Sequence, residues 1–158
     1  MTGTLYGLGV GPGDPDLITV KARDILAKAP VVAYPAPQGG ASLVRAIADP
    51  WVPQGRIEIV IATPMVASRF PAQDVYDRHA EEISAHLQAG LDVAVLCEGD
   101  PLFYGSFMYI FERLGKRHRA GPAESDPGGP GEPARGRNGA GGVAGRDPGQ
   151  LGRFGRWG

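Results

Sequence analysis

Cysteine occurs once in the 158 residues, as Cys97. A lone cysteine excludes any intrachain disulfide framework, and a reducing compartment is the simple expectation. Charge of one sign is not in excess either: 16 Lys and Arg against 17 Asp and Glu leave a net −1. No footprint for nucleic acid follows from that balance. Apolar runs of bilayer-spanning length are missing, and no charged start followed by an apolar stretch marks a signal peptide. The expectation is a cytoplasmic protein without nucleic-acid or membrane partners. The three histidines, His79, His86 and His118, show no metal-ligand spacing beyond a helical separation, so they read as surface residues and no metal is expected.

Branched apolar residues are lacking from one part of the chain only. Up to Arg119 the sequence is patterned and rich in Val, Ile, Leu and Ala; from Ala120 to Gly158 about a third of it is Gly, with Pro and Arg frequent. Five Arg against four acidic residues make this tail +1, leaving −2 before it. Only residues 1–119 can build a core, and residues 120–158 read as a Gly/Pro/Arg-rich, disordered tail without an expected fold.

Within the patterned part, one arrangement recurs four times. Thr4 to Val10 alternates apolar residues with Gly and ends in Gly11-Pro12-Gly13-Asp14-Pro15. Asp14 can cap the next helix, Pro15 suits its first turn, and Ile18, Ala22, Ile25, Leu26 and Ala29 mark one face before Pro30 stops it. Val31 to Tyr34 is a second strand; Ser42 is placed to cap a helix over Leu43 to Ala48. Arg56 to Ala62 is a third, with Ile57, Ile59 and Ile61 on one side. Tyr76, Ala80, Ile83 and Leu87 then stripe a helix that Gly90 ends. The fourth strand is Val93 to Cys97, with Cys97 a core residue, and the fourth helix runs from Tyr104 to Leu114. Alternation with short connections predicts an α/β fold: a mostly parallel sheet, flanked by helices and joined by right-handed crossovers. The strand order is not readable.

Two glycine-bearing loops should then share the carboxyl edge of the sheet, Gly11–Asp14 after the first strand and Glu98-Gly99-Asp100-Pro101 after the fourth. That edge is where ligands of open α/β sheets sit. Gly-Asp-Pro is also ordinary turn chemistry, so a plain loop stays open as a reading. A phosphate loop needs a Lys and a hydroxyl residue after its glycines, and Gly11-Pro12-Gly13-Asp14 supplies neither. The dinucleotide fingerprint fails as well: begun at Gly7, its third glycine falls on Pro12, and begun at Gly9, on Asp14. Both loops place acidic residues near the presumed ligand, which suits an amine, hydroxyls or a sulfonium charge.

LYGLGVGPGDPDLITVKA near the start and EGDPLFYGS later resemble the paired signatures of the tetrapyrrole (corrin/porphyrin) methylases. With VVAYPAP, PMVASRFPAQDVYD and CEGDPLFYGSFMY, the likeness runs from about Thr4 to about Arg119 and is greatest to the branch acting on carbon 20 of precorrin-2 in cobalamin biosynthesis. The resemblance implies S-adenosylmethionine (SAM) as methyl donor, a tetrapyrrole substrate, two α/β domains and a homodimer. It places Pro12, Glu98, Gly99, Asp100 and Phe103 at the donor, and Tyr104, Gly105 and Ser106 toward the substrate. Many relatives carry Gly where this chain has Glu98, so no side-chain role is implied there. The alternative for Phe103 and Tyr104 is core packing. No catalytic side chain is assigned, because the implied reaction is direct displacement, driven by alignment and exclusion of water. Arg45 and Arg69 are candidates for holding substrate carboxylates, against a reading as surface charges.

Beyond Arg119 the fifth strand and second domain implied by the resemblance are not evident. Gly, Arg, Pro and Ala in this proportion are what a GC-rich gene yields when read in a shifted frame. A frame change near Arg119 or Ala120 is one expectation and a natural disordered tail the other.

Overall fold

The computed structural model describes residues 1–63, 73–103, 106–123, 125–126, 129–131 and 135–136. Its main element is a five-stranded parallel sheet in the order β3-β2-β4-β1-β5. The strands are β1 (Thr4–Gly9), β2 (Val31–Pro37), β3 (Ile57–Thr63), β4 (Val93–Cys97) and β5 (Arg119–Pro122). The helices between them are α1 (Val20–Leu26), α2 (Leu43–Ala48), α3 (Gln73–Gln88) and α4 (Ser106–Leu114). A two-stranded antiparallel piece, β6 (Ser125–Asp126) with β7 (Arg135–Gly136), follows.

Burial on both faces explains why the central strands read as apolar runs rather than as alternation. Every residue of β4 is buried. Val93, Val95 and Cys97 face a core built with α3 and α4, through Tyr76, Ile83, Leu87, Phe107 and Ile110. Ala94 and Leu96 face a second core with α1 and α2, through Ala22, Leu26, Val44 and Ile47. Helices α1 and α2 thus cover one face, and α3 and α4 the other.

Three expectations are corrected. Asp14 does not cap α1: its side chain accepts from the Asp16 N–H and caps a single 3₁₀ turn, Pro15–Leu17, while Thr19 caps α1 by accepting from Ala22. The core does not stop at residue 119, since Ala120 and Ala123 are buried in it; Ile57, on the side of Ile59 and Ile61, is 45% exposed at the edge strand's start. The fifth strand that seemed missing after the patterned stretch is present: Arg119–Pro122 pairs with β1 from Thr4↔Arg119 to Gly7↔Pro122. Gly and Pro hid it, yet Ala120, Gly121 and Pro122 are all buried, and an edge position tolerates Pro because one side of the strand carries no ladder. Ser42 caps α2 as its position suggested, accepting from the Arg45 N–H at 3.2 Å and donating to the Pro35 carbonyl at 2.6 Å.

Gly7 is buried, and the core requires that no side chain stand there. A Cβ there would lie 2.6–2.8 Å from the ring of Phe107, the largest fully buried side chain. The missing side chain admits an aromatic whose burial contributes about 2–3 kcal/mol. Among the described residues no helix is long and apolar enough to cross a membrane, and no group of three or more His, Cys, Asp or Glu could hold a metal ion.

Candidate functional site

Neighbouring strands β4 and β1 end level with one another: Gly9 lies opposite Cys97, and the Val10 N–H donates to the Cys97 carbonyl at 2.9 Å. From this shared edge the chain leaves β1 toward α1 on one face and leaves β4 toward α4 on the other. Adjacent parallel strands whose connections depart to opposite faces open a crevice beyond their carboxyl ends. The two glycine loops flank that crevice, as expected from the sequence, and the strand order supplies the reason.

Three glycines shape it. Gly11, Gly13 and Gly99 have φ of 79°, 149° and 66°, values that L side chains avoid. A Cβ on Gly11 would come within 3.2 Å of the Leu17 carbonyl oxygen, so this residue turns the chain tightly. At Gly13 and Gly99 a Cβ would meet nothing within 4 Å. Those two leave open space beside bare backbone.

Pro12, Gly13, Asp14, Asp16, Glu98, Gly99 and Asp100 are all exposed around this space. Four carboxylates and no Lys or Arg occur in residues 11–18 and 98–103, which favours a cationic or hydroxyl-bearing ligand over a phosphate. Asp100 also orders its own loop, its Oδ1 accepting from the Leu102 N–H at 2.8 Å and its carbonyl from the Phe103 N–H at 3.0 Å. Phe103 is 72% exposed, which overturns the core-packing alternative and leaves its ring at the rim. Tyr104, Gly105 and Arg69 lie outside the described residues.

Ser106 opens α4, and its hydroxyl lies 3.2 Å from that of Tyr76 on α3. Tyr76 is buried, and burial raises its phenol above the usual range, with the Ser106 hydrogen bond opposing. From sequence Tyr76 was legible only as part of an apolar stripe; nothing in the spacing marks its hydroxyl.

Arg45 is not placed for a substrate. Its guanidinium grips Glu58 through two bonds, Nε to Oε2 at 2.9 Å and Nη2 to Oε1 at 3.0 Å, and Asp49 through Nη1 at 2.8 Å. Tyr34 donates to the same Glu58 at 2.7 Å, and the Arg45 and Tyr34 hydrogen bonds hold the Glu58 carboxyl below its ordinary pKa. His118 is not a surface histidine: it is 3% exposed, with one ring nitrogen 2.9 Å from Ser84 Oγ and the other buried without a partner among the described residues. A cavity of about 530 Å³ runs along α1, lined by Tyr6, Lys21, Asp24, Ile25, Lys28 and Asp92 among others. None of the site residues expected from the sequence lines it.

Comparison with known proteins adds three likenesses. The chain is 44% identical over 126 residues to the cobalamin biosynthesis protein CobIJ of Mycobacterium tuberculosis, covering 75% of this chain and 25% of that one. It is 42% identical over 134 residues to a precorrin-2 C(20)-methyltransferase of a Sinorhizobium species, covering 80% and 54%. The crystal structure of uroporphyrin-III C-methyltransferase from Thermus thermophilus, complexed with S-adenosylhomocysteine, superposes with a TM-score of 0.51 at 26% identity, covering 80% and 45%. The chain therefore spans between a quarter and about half the length of these proteins. With a family match over residues 4–129, it belongs to the tetrapyrrole (corrin/porphyrin) methylases.

Proposed function

We propose that this fold is the donor-binding lobe of a SAM-dependent methyltransferase that acts on carbon 20 of precorrin-2 in cobalamin biosynthesis. The observation that carries the reading is the crevice at the ends of β1 and β4. Its backbone is bare where Gly13 and Gly99 leave open space, and its two loops, residues 11–18 and 98–103, hold four carboxylates and no Lys or Arg. SAM, when bound, supplies a methyl group already activated by its sulfonium, which passes to a nucleophilic bridge carbon of the reduced tetrapyrrole. The chain's own part is to bind, orient and keep water out. Pro12 and Gly13 approach from one side. Glu98, Gly99 and Asp100 approach from the other, the backbone and the Asp100 carboxylate holding the amino-acid and ribose portions, with Phe103 packing against the donor. Tyr104 and Ser106 are assigned to the tetrapyrrole by the family resemblance. The full-length protein is proposed to work as a cytoplasmic homodimer.

The lobe proposed from residues 1–119 also takes in Ala120–Ala123, which complete its sheet and core, and the remaining residues to 158 are proposed to take no part in the chemistry. Leu102 and Phe103 stay exposed at the rim, which supports a second, narrower reading: the 158-residue chain by itself forms one wall of the site and does not turn over.

Titration with S-adenosylhomocysteine, followed by amide chemical shifts, tests the donor site. The expected result is weak saturable binding with shifts confined to Gly11–Asp14 and Glu98–Phe103. Shifts along the α1 cavity instead would defeat the proposal, and micromolar affinity would defeat the one-wall reading. For the ring position, a protein spanning the full length of the curated relatives should place a ¹³C-methyl group from SAM on carbon 20 of precorrin-2. Label at another ring carbon, or only on the cobalt-containing substrate, assigns a different branch of the family.

A further inference from the structure

We propose that Tyr76 is a positioning residue for the donor loop Glu98–Phe103, bracing both of its stems from the neighbouring helix α3. This rests on the donor-site reading above for its functional consequence, though not for its structural part. Tyr76 shares one apolar cluster with Cys97, the last residue of β4 and the stem where the loop begins. Its hydroxyl meets Ser106, the first residue of α4, on the far side of the loop. The phenol is buried and keeps its proton at neutral pH, and Ser106 Oγ lies 3.2 Å away, either hydroxyl being able to donate to the other. The ring is fixed independently of that bond, stacking at 4.9 Å and a 31° tilt on Tyr109 of α4.

A separate set of contacts holds the two helices together. Arg113 of α4 reaches Asp77 and Gln73, which flank Tyr76 on α3, and also the Tyr109 carbonyl. Removing the Tyr76 hydroxyl therefore leaves the helix pair docked and releases only the first turn of α4 and the loop ahead of it. The loop carries its own reporters: the Leu102 and Phe103 amides, both bonded to Asp100, exchange when it opens.

The test compares Tyr76→Phe, Ser106→Ala and the double variant by amide hydrogen exchange and by titration with S-adenosylhomocysteine. A bond of ordinary strength predicts roughly fivefold faster exchange at Leu102 and Phe103 in each single variant and roughly fivefold weaker binding. Amides of β4 and of the middle of α3 should be unchanged, and the double variant should be no worse than either single one. Exchange that accelerates equally through α3 and β4 would make Tyr76 a core residue only. Unchanged exchange at the two reporters, or additive losses in the double variant, would overturn the brace. If the parent chain fails to bind S-adenosylhomocysteine, the donor-site reading falls while the exchange measurements still decide the brace.

Discussion

Gly3 at the amino end of the sheet and Gly13 and Gly99 at its carboxyl end put the same residue type to opposite purposes. At the carboxyl end, Gly13 and Gly99 have positive φ and open space where a side chain would stand. At the amino end, Gly3 has no such space: a Cβ would lie 2.0 Å from the Leu91 carbonyl oxygen. That end is stitched shut, with the Gly3 N–H on the Leu87 carbonyl and the Thr4 N–H on Asp92 Oδ1, both at 2.7 Å. Nearby, Ser84 bridges Gln88 and the buried His118. Gly3 serves packing, whereas Gly13 and Gly99 leave room. Open space alone does not mark a ligand site, since Gly39, Gly55 and Gly131 also have positive φ and nothing within 4 Å; what sets Gly13 and Gly99 apart is that their loops both flank the crevice at the ends of β1 and β4.

Substituting alanine at each end separates the two uses most sharply. Gly3→Ala forces a backbone carbonyl to move and should cost about 3 kcal/mol, the upper range for overpacking. Gly7→Ala, where the ring of Phe107 can shift to relieve the contact, should cost about 2 kcal/mol. Gly99→Ala meets no atom and should cost about 1 kcal/mol from its positive φ alone, while weakening S-adenosylhomocysteine binding, which the other two leave in proportion to the folded fraction. Denaturant unfolding and a ligand titration on the three variants check this. Equal stability losses at Gly3 and Gly99 would erase the contrast.

The alternation of strand, loop and helix was legible because each element carries its own period: one apolar face on α3, an unbroken apolar run in β4. Both glycine loops were legible for the same local reason. The crevice between them was not, since it depends on β1 lying beside β4, and strand order is set by tertiary packing. Local signals also compete where they crowd together. Asp14 and Thr19 are both good caps five residues apart, and the extended backbone of Ile18, with ψ of 139°, splits the segment so that each caps its own turn. β5 was missed because Gly121 and Pro122 have poor strand propensity, and its place beside β1 overrides that. Arg45 looked available since a sequence cannot show that Glu58, thirteen residues on, comes back beside it.

The sealed end should respond to pH. Burial, with the Arg117 charge adding to it, lowers the His118 pKa below its ordinary value, and Glu81 opposes this weakly. The unfolded chain takes up the proton near pH 6.5, the folded protein only at lower pH. Stability is therefore full above about 6.5 and falls as pH is lowered through the folded pKa. His118→Gln, which does not titrate and keeps an acceptor for Ser84, should flatten that part of the pH–stability curve. A wild-type curve flat between pH 7.5 and 5 would show that the amino end accommodates the charge.

The smallest expected effect tests the acidic character of the open end. Asp14→Asn retains a side-chain oxygen for the Asp16 N–H, and the Trp51 Nε1–H on the Pro15 carbonyl holds the same turn separately. Stability should therefore change by less than about 0.5 kcal/mol, because Asn and Asp are equivalent caps. What the change removes is one of four carboxylates around the crevice. An exposed charge near a sulfonium contributes only about a few tenths of a kcal/mol after screening by salt, so SAM should lose about 1.5-fold in affinity. S-adenosylhomocysteine carries no sulfonium and should lose nothing. Since both ligands share every other group, their ratio isolates the electrostatic part, and adding salt should shrink the difference. An unchanged ratio at low salt would mean that the rim carboxylates act through hydrogen bonds alone, and that charge plays no part in selecting the donor.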